Sequence, residues 1–558
     1  MPVDEPSVLI VGAGPSGLVL ALILLQCGIS VRIIDKQTTY SVGSRGAAIQ
    51  PRTLELYAIL GILSDLLDVG ELLRPTLAKY NHGDIDPTTF VKVVDIVEPT
   101  PDLPYPNAYY ISQVRHEAVL RSHLRKLSCD VELGSELRNL EQFPDRVVAH
   151  IERTDSDGNK VEEKAEFRWL VGTDGARSVV RKQIDVEYLG ETRAQYIALG
   201  DIIIEEGVDP QFWHSWDGSA KSIIFRPSGV NDKSFMFFYT GRSEELSNTT
   251  ITREELVNDF REITGRQDVK FGSAPWLSNY RPNIRMVDKM QVGRVFLAGD
   301  AAHCHSLTGG QGLNSGVHDS FNLGWKLALV HHGRAAQTLL RTYDEERLRV
   351  IGYMLRFTTT LHNQSFERLQ AGKKMEDSSW DRGGDLQMLG VNYSGSSIIL
   401  QETSAVAGIN NAYSRPVGSG PASVEASFRA PDASGLVAAG SAASPSTTLF
   451  SIFNVTTHSV LLFGRDADCS AQISDVIARI PSGIARAVWL LPQGETGAGT
   501  SRCELVLEDR TGSAYGGYGT PVEKLTIVIV RPDGVVGAVV PDIDGVERYF
   551  ANLVRSNL

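Results

Sequence analysis

Residues 7–35 read SVLIVGAGPSGLVLALILLQCGISVRIID, and this stretch decides how the chain begins. An apolar run of strand length (7–11) breaks at Gly12-Ala13-Gly14-Pro15-Ser16-Gly17. An apolar stretch of helical length follows, and a second apolar run ends on Asp35, with Lys36 next. The order strand, glycine turn, helix, strand predicts a βαβ unit. In such a unit the first glycine permits the tight turn, the second lets a pyrophosphate approach the backbone, and the third lets helix and strand pack closely. The helix N-terminus supplies N–H groups and partial positive charge. Asp35 falls eighteen residues after Gly17, at the strand end where an acid binds an adenosine ribose. This pattern serves FAD and NAD alike.

The chain of 558 residues carries 54 Lys and Arg against 67 Asp and Glu, for a net charge of −13. An acidic chain without a basic stripe excludes a general nucleic-acid binder. Its length accommodates two to four domains. Five dispersed cysteines with no C-x-x-C argue for a reducing compartment and against a disulfide framework. No apolar run is long enough to insert in a membrane. The final Ser556-Asn557-Leu558 echoes a peroxisomal Ser-Lys-Leu address with Asn in the basic place, so a cytoplasmic location is expected.

Apolar spacing predicts helices over 52–70 and 115–127, and strands through 131–143 and 146–153. A second strand–turn–helix lies in 167–184, where VGTDGARSVVRKQI carries Asp174 and Gly175. Residues 186–284 are strand-rich. Strand 293–300 ends on Asp300 and leads into GDAAHCHSLTGGQGLN (299–314), which opens a long helix ended by Gly333. Helical pattern continues over 336–370. The Ala-, Ser-, Gly- and Pro-rich stretch 403–446 reads as a connector to a small α/β unit.

The glycine turn, the Asp174-Gly175 segment and GRVFLAGDAAH…GGQGLNSGVHDSFNLGWKLALV, together with SRGAAIQPRTLEL (44–56), strongly resemble the single-component flavoprotein aromatic hydroxylases, the para-hydroxybenzoate hydroxylase and phenol hydroxylase group. The resemblance covers residues 5–360 and extends more weakly into the tail, where FRAPDASGL and IVRPDGVVGAVV are similar to the phenol hydroxylase branch. It implies an α/β fold with three parts: a Rossmann-like FAD domain (1–75, 105–185, 285–350), a sheet-rich substrate domain (76–104, 186–284), and a C-terminal thioredoxin-like domain (446–558). A helical segment (351–402) and the connector (403–445) join them. It implies FAD as cofactor, NADPH or NADH as reductant and O₂ as co-substrate. Oxygen transfer to a small aromatic substrate then proceeds through a flavin C4a-hydroperoxide. The tail lacks C-x-x-C and is expected to serve as an interface; a homodimer is one assembly it would suit.

Residue by residue, the resemblance places Gly12, Gly14, Pro15, Ser16, Gly17, Asp35, Lys36, Arg45, Gln113, Asp174, Gly175, Asp300, Gly310, Gly312, Leu313 and Asn314 at the cofactor. Asp300 would bind the ribityl chain. The backbone of 309–314 would face the flavin's pyrimidine edge, where helix N–H groups stabilise negative charge. Arg226 and Tyr239 resemble the arginine and tyrosine set over a phenolic substrate; a strand-end cation and a core tyrosine are the competing reading. Two positions depart from the family. Ala47 stands where phenol hydroxylases carry an acid, and Leu307 stands where many relatives carry proline.

Other readings of 299–314 fare worse. Consecutive ligands at His303-Cys304-His305 splay apart, so no metal is expected, and a Cys–His nucleophile gives way to packing. Oxidative decarboxylation of a hydroxybenzoate, including a prenylated one, and Baeyer–Villiger insertion use the same flavin chemistry and stay open. A flavin-binding interaction protein without oxygenation is the alternative of another class.

Overall fold

The computed structural model describes residues 6–44, 46–73, 75–154, 158–193, 196–217, 221–241, 249–307, 309–370, 384–401, 412–413, 424–441, 444–495 and 502–554. Among them no helix is long and apolar enough to cross a membrane.

The opening unit forms as its pattern dictates. Strand β1 (Val8–Val11), helix α1 (Pro15–Gln26) and strand β2 (Val31–Asp35) follow in order, with Pro15 in the first helical turn, where its missing N–H costs nothing. β1 is buried on both faces and pairs in parallel with β2 on one side and β3 (Trp169–Gly172) on the other. Val295–Leu297 continues the sheet beyond β3, and Val131–Leu133 continues it beyond β2. The three sequence motifs therefore leave the same carboxyl end of one sheet, where such folds bind ligands. Helix α2 (Gly312–His331) packs along α1, and α3 (Arg341–Gln370) follows it. The helix expected over 52–70 is two helices, Pro51–Leu60 and Leu63–Leu67. Gly61 at φ +78° ends the first in the left-handed conformation that glycine adopts without strain.

A second sheet, of eight strands, supplies the strand-rich part. Its centre is β4 (Ile197–Glu206), β5 (Trp213–Asp217), β6 (Ser222–Pro227) and β7 (Ser234–Thr240), in the spatial order β4-β7-β6-β5, with β8 (Trp276–Tyr280) also paired to β4. One face packs on the Arg253–Thr264 helix through Phe225, Phe237, Tyr239, Leu256 and Phe260. The other face turns towards the loop that follows β2.

The C-terminal unit is a seven-stranded sheet. Its Val536–Val540, Thr526–Val530, His458–Phe463 and Ala485–Pro492 strands lie side by side in that order. The Thr526–Val530 strand is antiparallel to both neighbours and the last pair is parallel, as a thioredoxin-like sheet requires. Leu400–Gln401 and Leu436–Ala438 form its edges, so part of the expected connector is built into the sheet. Ala430 and Ala433 are fully buried there. The unit is riveted to the rest of the chain by buried charges. Glu346 on α3 receives both guanidinium nitrogens of Arg531, at 2.7 and 2.9 Å, and the ammonium of Lys326 on α2, at 2.8 Å. Asp533 accepts from Arg531 and from the Trp325 indole. Glu55 is bridged by Arg52 and by Arg429.

Candidate active site

The glycine turn is shaped by what surrounds it. A methyl group on Gly12 (φ +105°) would lie 2.5 Å from the Thr173 carbonyl oxygen, and one on Gly17 would lie 2.2 Å from the Gly12 carbonyl oxygen. A methyl group on Gly14 would meet nothing within 4 Å. Two glycines are thus demanded by packing, and the middle one leaves backbone open, which is the cradle a diphosphate needs. Asp35 accepts the Ala13 N–H and the Gln37 N–H, each at 2.9 Å, tying the turn to the end of β2. Lys36 beside it is exposed.

Thr173, Asp174 and Gly175 pack directly against that turn. The Thr173 hydroxyl donates to the Gly12 carbonyl at 2.6 Å. One Asp174 oxygen accepts the Val179 and Val180 N–H groups; the other is buried without a hydrogen-bond partner, and burial pushes the carboxyl pKa up. Gly175 (φ +78°) has open space where a side chain would project.

The third motif closes the groove. Val295–Leu297 runs into a single turn, Gly299–Ala301, which leaves Asp300 exposed. Ser16 was expected at the cofactor, but its side chain is wedged between Gly299 and Gly316: methyl groups there would lie 2.5 and 2.2 Å from its Oγ. Gly310 (φ +61°) is exposed at the loop, and Gly312 begins α2 against the His305 ring. Asn314 is fully buried. It accepts the Gln50 N–H and donates to the Ala48 and Gly310 carbonyls, so its side chain staples two loops and its expected cofactor contact falls to its backbone. Leu313 and Gln113 meet at Gly46, whose N–H Gln113 accepts at 3.2 Å. Arg45 lies outside the described residues. The bare Gly14 edge, the exposed Asp300 and the α2 N-terminus fit FAD: the first can take the diphosphate, the second a polyol chain, and the third the electron-rich edge of the ring.

The His303-Cys304-His305 segment does more than pack. His303 Nε2 meets Asp319 at 2.7 Å; Asp319 also accepts the Gly299 N–H at 2.9 Å and Arg347 Nε at 2.7 Å. Burial pushes the Asp319 carboxyl up, but His303 and Arg347 beside it hold it down at about 2. The hub fixes the GDAAH turn onto α2 and α3. The Cys304 thiol accepts from the Tyr188 hydroxyl, and burial pushes its pKa up to about 12, which leaves it a poor nucleophile. Leu307 is partly buried.

Sheet register shows where the residues expected near a substrate lie. Trp276, Asp201, Met236 and Arg226 pair in one row across β8, β4, β7 and β6. Their side chains share the face turned to the Ser44 loop. The Arg226 guanidinium lies 4.7 Å from the Phe238 ring, 5.6 Å from Tyr110 and 5.7 Å from Trp213. Tyr239, expected over the substrate with Arg226, is three residues along β7 from Met236 and therefore on the opposite face, buried in the aromatic core. The tyrosine beside Arg226 is Tyr110, from the short strand Tyr109–Tyr110 that pairs with Ala48–Ile49. Sequence reasoning missed Tyr110 and Asp201. The signal for Asp201 was a lone acid inside the apolar run IALGDIII.

These side chains leave polar atoms unspent. Ser44 Oγ, Tyr110 Oη, Asp201 Oδ1 and Arg226 Nε are buried without hydrogen-bond partners, although buried polar groups are nearly always paired. Burial pushes the Tyr110 and Asp201 pKa values up, and Arg226 pulls both the other way.

An FAD binding domain family model matches residues 5–358, and a phenol hydroxylase C-terminal dimerisation domain model matches residues 502–558. A flavin-dependent monooxygenase of Mycobacteroides abscessus is 36% identical over 364 residues, 64% of this chain and 75% of that relative. The 6-methylpretetramide 4-monooxygenase of Streptomyces rimosus is 34% identical over 64% of this chain and 62% of its own. Among solved structures, aklavinone-11 hydroxylase in complex with FAD and aklavinone shares the fold over 99% of both chains, with a TM-score of 0.77 at 23% identity.

Proposed function

The chain belongs to the FAD-binding domain family of flavin-dependent monooxygenases, and from that membership we propose that the face formed by Arg226 and Tyr110 receives the hydroxyl group of a fused-ring phenol for hydroxylation. The enzyme uses FAD, a reduced nicotinamide and O₂. Bound FAD supplies electron storage and the activation of O₂. The protein's own groups do the rest. Gly14 and the start of α1 hold the diphosphate, Asp300 the polyol chain, and the 310–314 backbone the ring.

The observation that carries the reading is the set of buried polar atoms without hydrogen-bond partners, Asp201 Oδ1 and Arg226 Nε on the sheet and Ser44 Oγ and Tyr110 Oη beside it. A phenolic oxygen placed among them would satisfy Tyr110, and Arg226 would stabilise its anionic form, which makes the ring more nucleophilic. Trp213, Trp276, Met236 and Phe238 supply broad apolar walls on the same face, suited to more than one ring. Relatives named 6-methylpretetramide 4-monooxygenase and pentachlorophenol 4-monooxygenase support an aromatic substrate.

The test is NADPH and NADH consumption against single-ring and fused-ring phenols and hydroxybenzoates, with product masses. Gain of one oxygen with a fused-ring phenol is the expected result. Loss of CO₂ with oxygen gain would replace hydroxylation by decarboxylation. Failure of every ring compound to stimulate nicotinamide oxidation would refute the reading. We also infer a homodimer through the C-terminal unit, supported by the dimerisation-domain match; a monomeric mass by light scattering at micromolar concentration would overturn it.

A further inference from the structure

A buried carboxylate faces the loop that follows β2. Ala47 in that loop is itself buried and offers only its carbonyl, to the Ile111 N–H. The carboxylate, Asp201, comes from the neighbouring sheet. Its Oδ2 accepts the Ser44 N–H at 2.8 Å, three residues before Ala47. Its Oδ1 is buried and has no hydrogen-bond partner. It lies in the cross-strand row that ends on Arg226.

We propose that Asp201 is a catalytic residue of this enzyme: its Oδ1 takes the proton of the substrate's hydroxyl group. The inference rests on the phenol-hydroxylating reading above. In the step, the phenolic O–H bond breaks, its electron pair stays on oxygen, and the proton forms a bond to Asp201 Oδ1. No oxidant is consumed. The phenolate gains Arg226 as counter-ion, and Ser44 keeps the carboxyl group oriented through Oδ2. The ionisable groups facing this step are Arg226 on β6, Tyr110 on its short strand and Glu71, which acts on Tyr110 from the strand paired to it. Burial raises the affinity of Asp201 for a proton, which suits an acceptor better than an ordinary surface carboxylate would.

Asp201→Asn is the discriminating variant, because the amide oxygen can still accept the Ser44 N–H while the side chain can no longer take a proton. The FAD-loaded enzymes are compared on one substrate scaffold with substituents that move the phenol pKa from ~10 to ~6. The expected result is a loss of about 100-fold or more in kcat for the weakest acids, shrinking to about threefold for phenols already ionised at the assay pH. An equal loss across the series, or none, overturns the proposal. If the variant does not retain FAD, the wild type decides. Its kcat/KM for a phenol of pKa ~10 should be flat from pH ~7 to ~9; a tenfold rise per pH unit would mean that solvent takes the proton, and the proposal falls. Turnover by the wild type with an unchanged substituent dependence in Asp201→Asn rejects Asp201 alone. Absence of phenol-stimulated turnover in the wild type rejects the proposed function and this step with it.

Discussion

Gly316→Ala probes the contact on which the cofactor groove is built. Gly316 lies in the buried part of α2, and a methyl group there would sit 2.2 Å from Ser16 Oγ, 3.5 Å from Ser16 Cβ and 3.1 Å from Gly299 Cα. The first distance is more than 1 Å inside ordinary contact, and the hydroxyl has little room to retreat because Gly299 crowds it from the other side. Overpacking of this kind costs ~1–3 kcal/mol, against the ~1 kcal/mol that Ala gains over Gly within a helix. The larger consequence is for binding. α1 starts at the diphosphate turn and α2 at the flavin loop, so spreading the two helices displaces both walls of one groove. A tenfold or greater rise in the FAD dissociation constant is expected, about 1.4 kcal/mol. Ser16→Ala removes the clashing oxygen and leaves only the 3.5 and 3.1 Å contacts, so Gly316→Ala in that background should cost under ~1 kcal/mol. Urea unfolding midpoints and FAD fluorescence titrations of the four proteins measure the coupling. Equal losses from Gly316→Ala in both backgrounds would refute the packing argument.

Four further outcomes follow from named contacts. Arg347→Met leaves the buried Asp319 with one cation fewer and should cost ~3–5 kcal/mol in urea unfolding. Because the folded Asp319 carboxyl is held at about 2, below the ordinary carboxylate value of 3.8, its stabilisation is present above pH ~4 and is lost as pH falls towards ~2. Asp319→Asn should therefore have a flatter acid limb than the wild type. Arg531→Met strips Glu346 and Asp533 of their shared guanidinium, and should lower both the unfolding temperature and the temperature of FAD release, read together by flavin fluorescence. Tyr110→Phe should lower kcat/KM about tenfold without loss of stability, whereas Tyr239→Phe should leave kcat/KM within about twofold.

The opening unit was legible because its constraints are local. Turn, helix start and strand end all fall within 7–35, and each glycine has a steric reason visible in one motif. The place of Arg226 near a strand end was legible too. Tyr239 was not, because its assignment depended on strand register, and a slip of one residue reverses the face. The Asp319 hub was invisible: its partners at Gly299, His303 and Arg347 lie 16–28 residues away on separate elements. The stretch 424–441 looked like a linker because it is rich in small residues. In the fold those residues are small because space is scarce, as at Gly435, where a methyl group would lie 2.5 Å from the Thr511 side chain.

The rivet between Glu346, Lys326 and Arg531 has a consequence for how the protein is made. α2 leaves the ribosome carrying a lysine whose buried site is hostile enough to pull its pKa down to about 8, and the arginine that completes that site is encoded 185 residues after Glu346. Until then Glu346 has Lys326 and Ser396 among its partners but lacks the guanidinium. The buried network that ties α2 and α3 to the C-terminal unit is therefore complete only once the last strands of that sheet have been synthesised.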